Sequence, residues 1–159
     1  MVTTSSVARM IQRMSHTSVY VLDQDSAKEF YTAKLGFELG TDFVMGDGFE
    51  GGGQGFRWLT VSPPGQPDVQ FILADPRMGN SPEQAETIRQ LVAQGAFGPG
   101  VLETDDCHKT YQELSERGVV FLQEPAERPY GVEATFRDDS GNVFSLTAPR
   151  WRVKTDSPR

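Results

Sequence analysis

The sequence predicts an α+β domain assembled from two successive βαβββ modules. Three observations carry that prediction. Short segments alternate apolar and polar residues with the period of a strand. Two helical stretches each open at an aspartate and close at a glycine. A constant offset of 82 superimposes Val19 on Val101, Asp23 on Asp105 and Gly36 on Gly118, so the second half repeats the first.

The first module is expected over residues 11–75. In residues 15–22, Thr17, Val19 and Val21 fall on one face, and His16, Ser18 and Tyr20 on the other. Asp23 is a helix cap, Phe30, Tyr31 and Leu35 form the apolar stripe, and Gly36 suits the left-handed position past the helix end. Residues 37–45, 56–61 and 69–73 complete three more strands, with a glycine-rich loop over 46–55 and a Pro63-Pro64-Gly65 turn between them. Residues 76–96 read as a linker helix, opened by Ser81 as cap and Pro82 in the first turn and closed by Gly95.

The second module is expected over residues 97–149. A strand over 97–104 leads to a helix capped by Asp105 and stopped by Gly118. Strands follow over 119–123, 132–136 and 143–147, the last two joined by a turn at 138–141. Residues 150–159 form a basic tail, suited to covering a dimer groove or to fraying.

A chain of 159 residues buries about 70% of its unfolded surface, enough for a self-supporting core. Cys107 is the only cysteine, which excludes an intrachain disulfide framework and every multi-cysteine metal site. The net charge of −7 argues against nucleic-acid binding, which depends on neutralising phosphates, and favours neutral or cationic small molecules. No apolar run has the length of a membrane span, and the N-terminus lacks the pattern of a signal peptide, so a cytoplasmic location is expected. Phosphate-binding loops, zinc-protease and serine-hydrolase motifs are absent.

Two segments then resemble a known family. One joins His16-Thr-Ser-Val-Tyr-Val-Leu-Asp23 to Ala27-Lys-Glu-Phe-Tyr-Thr-Ala-Lys-Leu-Gly-Phe37. The other is Tyr130-Gly-Val-Glu-Ala-Thr-Phe-Arg-Asp-Asp-Ser-Gly-Asn-Val-Phe144. Both are similar to the vicinal oxygen chelate superfamily of glyoxalases, bleomycin-resistance proteins and extradiol dioxygenases. The resemblance implies curved sheets around a cleft, a small-molecule ligand and a C2 homodimer. In enzymatic members a divalent metal (Fe, Mn, Ni or Zn) takes one ligand from the first strand and one from the last strand of each module.

His16 matches the first ligand position. Its counterpart in the second module is Gly98, or Pro99 if the register slips by one, and neither side chain binds metal. In the fourth strand the match is Gln70 or Ile72; in the eighth it is Ser145. His16 and Gln70 are therefore the metal candidates, and the chain is expected to bind its ligand without a tightly held metal. The alternative is a glyoxalase-type lyase or dioxygenase using His16 with Gln70 or Glu133. Glu103 is a weaker candidate because alternation puts it on the core side. A metal-free enzyme would use His16 or Glu133 to move a proton.

The expected ligand surface is Phe56 and Trp58 for stacking, with His16, Gln70, Tyr130 and Ser145 around it. Arg137 is expected to brace the turn that follows it. Cys107 reads as an idle thiol and His108 as solvent-exposed. The glycine loop, which leads into a strand and lacks a following lysine, is a lid or a plain loop rather than a phosphate site.

Overall fold

The structure, a computed structural model, describes residues 10–44, 46 and 55–151. The first nine residues, Met45, the glycine loop between Gly46 and Gly55, and the tail beyond Trp151 lie outside the described residues. Strand β1 (His16–Tyr20) is followed by α1 (Gln24–Glu29), a π-helical stretch (Phe30–Lys34), β2 (Glu38–Val44), β3 (Arg57–Ser62) and β4 (Gln70–Ala74). Helix α2 (Pro82–Ala93) leads to β5 (Gly100–Glu103), α3 (Cys107–Glu116), β6 (Val120–Arg128), β7 (Gly131–Arg137) and β8 (Val143–Pro149). Among the described residues no helix is long and apolar enough to cross a membrane.

The strands form two four-stranded mixed sheets of identical topology, ordered β1-β4-β3-β2 and β5-β8-β7-β6. In each, the first strand runs parallel to the fourth, and the other pairs are antiparallel. A parallel pair needs a long crossover, and the intervening helix and strands supply it.

The helix-side faces of both sheets share one core. Val19, Val21, Leu59, Val61 and Leu73 of the first sheet cluster with Ala134, Phe136, Phe144 and Leu146 of the second. An aromatic chain crosses the boundary: Tyr31 touches Phe37, Phe37 touches Phe71, and Tyr31 and Phe71 both touch Phe144. Phe144 stacks on Phe136 at 5.6 Å, and Phe121 and Tyr111 extend the chain. Such edge and offset contacts add roughly 0.5–1.5 kcal/mol per pair beyond their buried area.

The turn after β7 fastens the two sheets together. Asp138 Oδ1 accepts the backbone N–H groups of Ser140, Gly141 and Asn142, while Oδ2 accepts the Tyr31 hydroxyl and the Asn142 amide. The Asn142 amide also donates to the Tyr20 carbonyl, and the Leu22 N–H donates to Ser140 Oγ. Ser26 donates to Asp139. Asp138 therefore braces this turn, in place of the exposed Arg137 expected from the sequence. Gly141 sits at φ +123, and a Cβ there would overlap the Val92 carbonyl at the end of α2.

The repeat offset needs a correction. The cap of α3 is Asp106, whose side chain accepts the Lys109 N–H, not Asp105. Val19 lies beside Leu73, and Leu102 lies beside Leu146 at the same place in the second sheet. Val101, aligned with buried Val19 by the constant offset, is 69% exposed. The strand register is thus one residue later than the offset of 82. The extra residue of the first module is absorbed where the helix widens, with Leu35 N–H bonded five residues back to Phe30. From there on Gly36 and Gly118 fall into step. The fifth strand is also shorter than expected: residues 97–99 precede it, and Pro99 has no N–H to give a ladder.

Candidate functional site

Removing the core-facing residues leaves one open face on each sheet. On the first sheet, His16 lies beside Gln70 in the parallel pair β1–β4, and Ser18 beside Ile72. Trp58 of β3 packs its ring 5.8 Å from the His16 ring, tilted by 58°, and faces Phe43 across β2–β3. Phe43 is 51% exposed. His16 Nδ1 pairs with Ser15 Oγ at 2.9 Å.

Beneath this aromatic surface lies a polar chain. Thr60 Oγ1 accepts the Thr41 N–H and donates to Gln70 Oε1 at 2.5 Å. Gly40, at the irregularity between Leu39 and Asp42, makes room for it, since a Cβ there would overlap Gln70 Oε1 and Thr60 Oγ1. Phe56, expected to stack beside Trp58, precedes β3 and shares no ring contact with the His16–Trp58 pair.

On the second sheet, Glu133 of β7 is the centre. Its Oε2 accepts the Ser145 hydroxyl at 2.7 Å, and its Oε1 lies 4.0 Å from Arg128 Nε. Ser145 Oγ is 3.0 Å from Thr147 Oγ1. The hydrogen bond from Tyr130 to this carboxylate raises the Tyr130 pKa above the ordinary phenol value. Glu133 lies beside Thr147 and Thr135 beside Ser145, so these groups share a face.

The expected site residues therefore gather in two groups. His16, Trp58 and Gln70 meet on the first sheet; Tyr130, Glu133 and Ser145 meet on the second. Alternation along the third strand already puts Thr60 on the face of Trp58, whereas sequence reasoning missed Phe43 and Thr41, because their place beside Trp58 and Thr60 follows from strand register, not from a motif. It also reversed Glu103, which lies beside Thr147 and is exposed, because β5 is shifted by one residue.

The donor set does not fit a divalent metal. The first sheet offers one imidazole and one carboxamide, and the carboxamide oxygen already accepts Thr60. Pro99 takes the register of His16 in the second module. Among the described residues no group of three His, Cys, Asp or Glu is assembled, and no buried side-chain polar atom lacks a partner. His16 and Glu133, the two candidates for moving a proton, stand on different sheets.

The sole cysteine sits at the start of α3 but is 1% exposed, with its Sγ 3.5 Å from the Leu146 carbonyl. Burial pushes its thiol pKa up, opposite to a reactive thiolate. His108 is exposed on the same helix.

The profile of the Glyoxalase/Bleomycin resistance protein/Dioxygenase superfamily matches residues 13–146. The uncharacterized protein YetH of Bacillus subtilis (strain 168) is 33% identical over 86% of this chain and 98% of its own. Among solved structures, UcmS2 is 46% identical, with a TM-score of 0.78 over 87% of this chain and 99% of its own. TnmS3, an antibiotic binding protein from Streptomyces sp. CB03234, is 34% identical, with a TM-score of 0.64 over 88% of this chain and 98% of its own.

Proposed function

Since the chain belongs to the Glyoxalase/Bleomycin resistance protein/Dioxygenase superfamily, we propose that it is a binding protein of the resistance type. It takes a small, planar, neutral or cationic molecule in a cup that a homodimer completes, without a tightly held catalytic metal. The observation that carries this reading is the His16–Trp58 ring pair on an open sheet face, with Gln70 beside it. A flat aromatic body stacks on the indole and imidazole. Because Gln70 Oε1 is held by Thr60, the amide N–H groups are left to meet a ligand carbonyl. The antibiotic binding attributed to TnmS3 supports a ligand of drug size.

A second copy supplies the rest of the cup. Phe43, Val120 and Leu122 are each between 46% and 55% exposed on or beside the open faces. Apolar groups in that setting mark an interface. Apposing the first sheet of one protomer with the second sheet of its partner would bring the Glu133 carboxylate to the aromatic pair, where it would favour a cation.

The test is a fluorescence titration in a Trp151→Phe background, which leaves Trp58 as the only indole. With acridine orange as the planar cationic probe, saturable quenching at one probe per chain is expected, lost in His16→Ala. Sedimentation velocity should give a dimer. Protein dialysed against a weak chelator should bind the probe unchanged. Absent saturable quenching, or binding restored only by added metal, would overturn the reading.

A further inference from the structure

We infer that the chain carries a second ligand site, apart from the His16–Trp58–Gln70 and Tyr130–Glu133–Ser145 groups, in the cleft between its two halves. This inference goes beyond the cup and does not rest on it. The cleft has a volume of about 580 Å³. That lies within the roughly 300–1,000 Å³ range of small-molecule sites. One wall comes from the first half, with Leu35, Phe37 and the Pro63-Pro64 turn; the other comes from β5, α3 and the second sheet, with Leu102, Leu114 and Phe136. None of His16, Trp58, Gln70, Tyr130, Glu133 or Ser145 lines it.

Two features argue for a ligand rather than a packing fault. The cleft opens to solvent, and apolar side chains that border such an opening lack dispersion partners on one side, which a ligand can supply. Here the cleft borders the shared core at Phe37, Leu114, Phe136 and Leu146. Of its polar side chains, Gln66 is on the first wall, and Glu103, Thr104 and Thr110 are on and after β5. Thr104 and Thr110 satisfy each other at 2.7 Å, whereas Glu103 joins no ion pair among the described residues. An apolar floor with an unneutralised carboxylate at the rim is complementary to an apolar molecule bearing a protonated amine. The surplus negative charge of the chain acts in the same direction.

Decylamine, used below its micellar concentration, is the probe, with decanol as its uncharged counterpart. Isothermal titration should show one saturable decylamine site per chain. Val101→Trp and Gln66→Trp, which obstruct the cleft from opposite walls at exposed positions, should each weaken it by at least about tenfold. Glu103→Gln should weaken decylamine by about tenfold and leave decanol unchanged. Trp58→Ala, which disables the aromatic face, should leave decylamine unaffected. No saturable binding, binding indifferent to both tryptophan blocks, or binding lost in Trp58→Ala would overturn the second site. Those outcomes are distinct from failure of the acridine orange titration, which reports only on the cup.

Discussion

Tyr31 and Asp138 come from opposite halves of the chain, and the phenol donates to the carboxylate at 2.7 Å inside the shared core. Tyr31 is fully buried and Asp138 is 2% exposed. The same carboxylate organises the whole turn after β7, so this bond ties the first helix to the fold of the second sheet.

Tyr31→Phe should keep the ring packing and lose only the hydroxyl. Leaving a charged acceptor one partner short costs about 1–3 kcal/mol. Urea denaturation at neutral pH should report that loss with an unchanged slope. Burial, and then the Asp138 charge, raise the Tyr31 pKa well above 10.0. A raised phenol adds stability that is present below 10.0 and lost as pH climbs through the folded-state value. The wild type should therefore lose stability above about pH 10, and Tyr31→Phe should lose less there.

Acid stability should depend on Asp42. Its carboxylate receives two hydrogen bonds from Arg57, at 2.8 and 2.9 Å, and one from Lys28 at 2.7 Å. The Arg57 bonds first, then the Lys28 bond, hold its pKa well below 3.8. A depressed carboxyl stabilises above its ordinary value and loses that contribution as pH falls. Asp42→Asn should be less stable than wild type at pH 7, by about 1–3 kcal/mol for lost charge-assisted bonds. The gap should narrow below pH 3.8 in a pH series of chemical denaturation.

Asp139 should behave in the opposite sense. Burial is the main cause that raises its pKa, and the Ser26 hydroxyl bond offsets only part of it. A raised carboxyl is best tolerated when protonated, so its contribution is most favourable at low pH and declines as pH rises through the folded-state value. Asp139→Asn, which keeps an oxygen for Ser26, should be more stable than wild type at pH 7. The advantage should vanish below pH 3.8, the ordinary value. A variant less stable at pH 7 would show that the charge is needed.

Gly40→Ala should separate ligand binding from stability. The added methyl collides first with the end of the Gln70 side chain and with Thr60 Oγ1. The carboxamide can swing aside, but buried Thr60 must turn its hydroxyl from the Thr41 N–H, so melting should fall by several degrees, consistent with about 2 kcal/mol. Acridine orange affinity should drop about tenfold if Gln70 holds the ligand, as one lost hydrogen bond to a polar partner predicts.

Much of this was legible in the chain itself. The alternation of His16, Ser18 and Tyr20 with Val19 and Val21 assigns the faces of β1, because each strand residue is buried or open in turn. Asp23, Gly36 and the Ser81-Pro82 start are local signals, and each acts where it stands. The widened turn after Glu29 left no mark, since a hydrogen bond reaching five residues back needs no special composition. Two neighbouring aspartates then disguised the shift, and Glu103 was turned to the wrong side. The Tyr31–Asp138 bond joins residues 107 apart, beyond any periodicity. The His16–Trp58 contact needed β4 to be placed between β1 and β3.

The aromatic chain from Tyr111 to Tyr31 has a thermodynamic consequence. Neither half owns a complete core: Phe144 closes the packing of Tyr31 and Phe71, and Phe136 depends on Phe144 in turn. The halves should therefore melt as one cooperative unit, with calorimetric and van't Hoff enthalpies in agreement for each folded species. Cut at α2, each fragment would expose the rings its twin had covered and would recover order only on recombination.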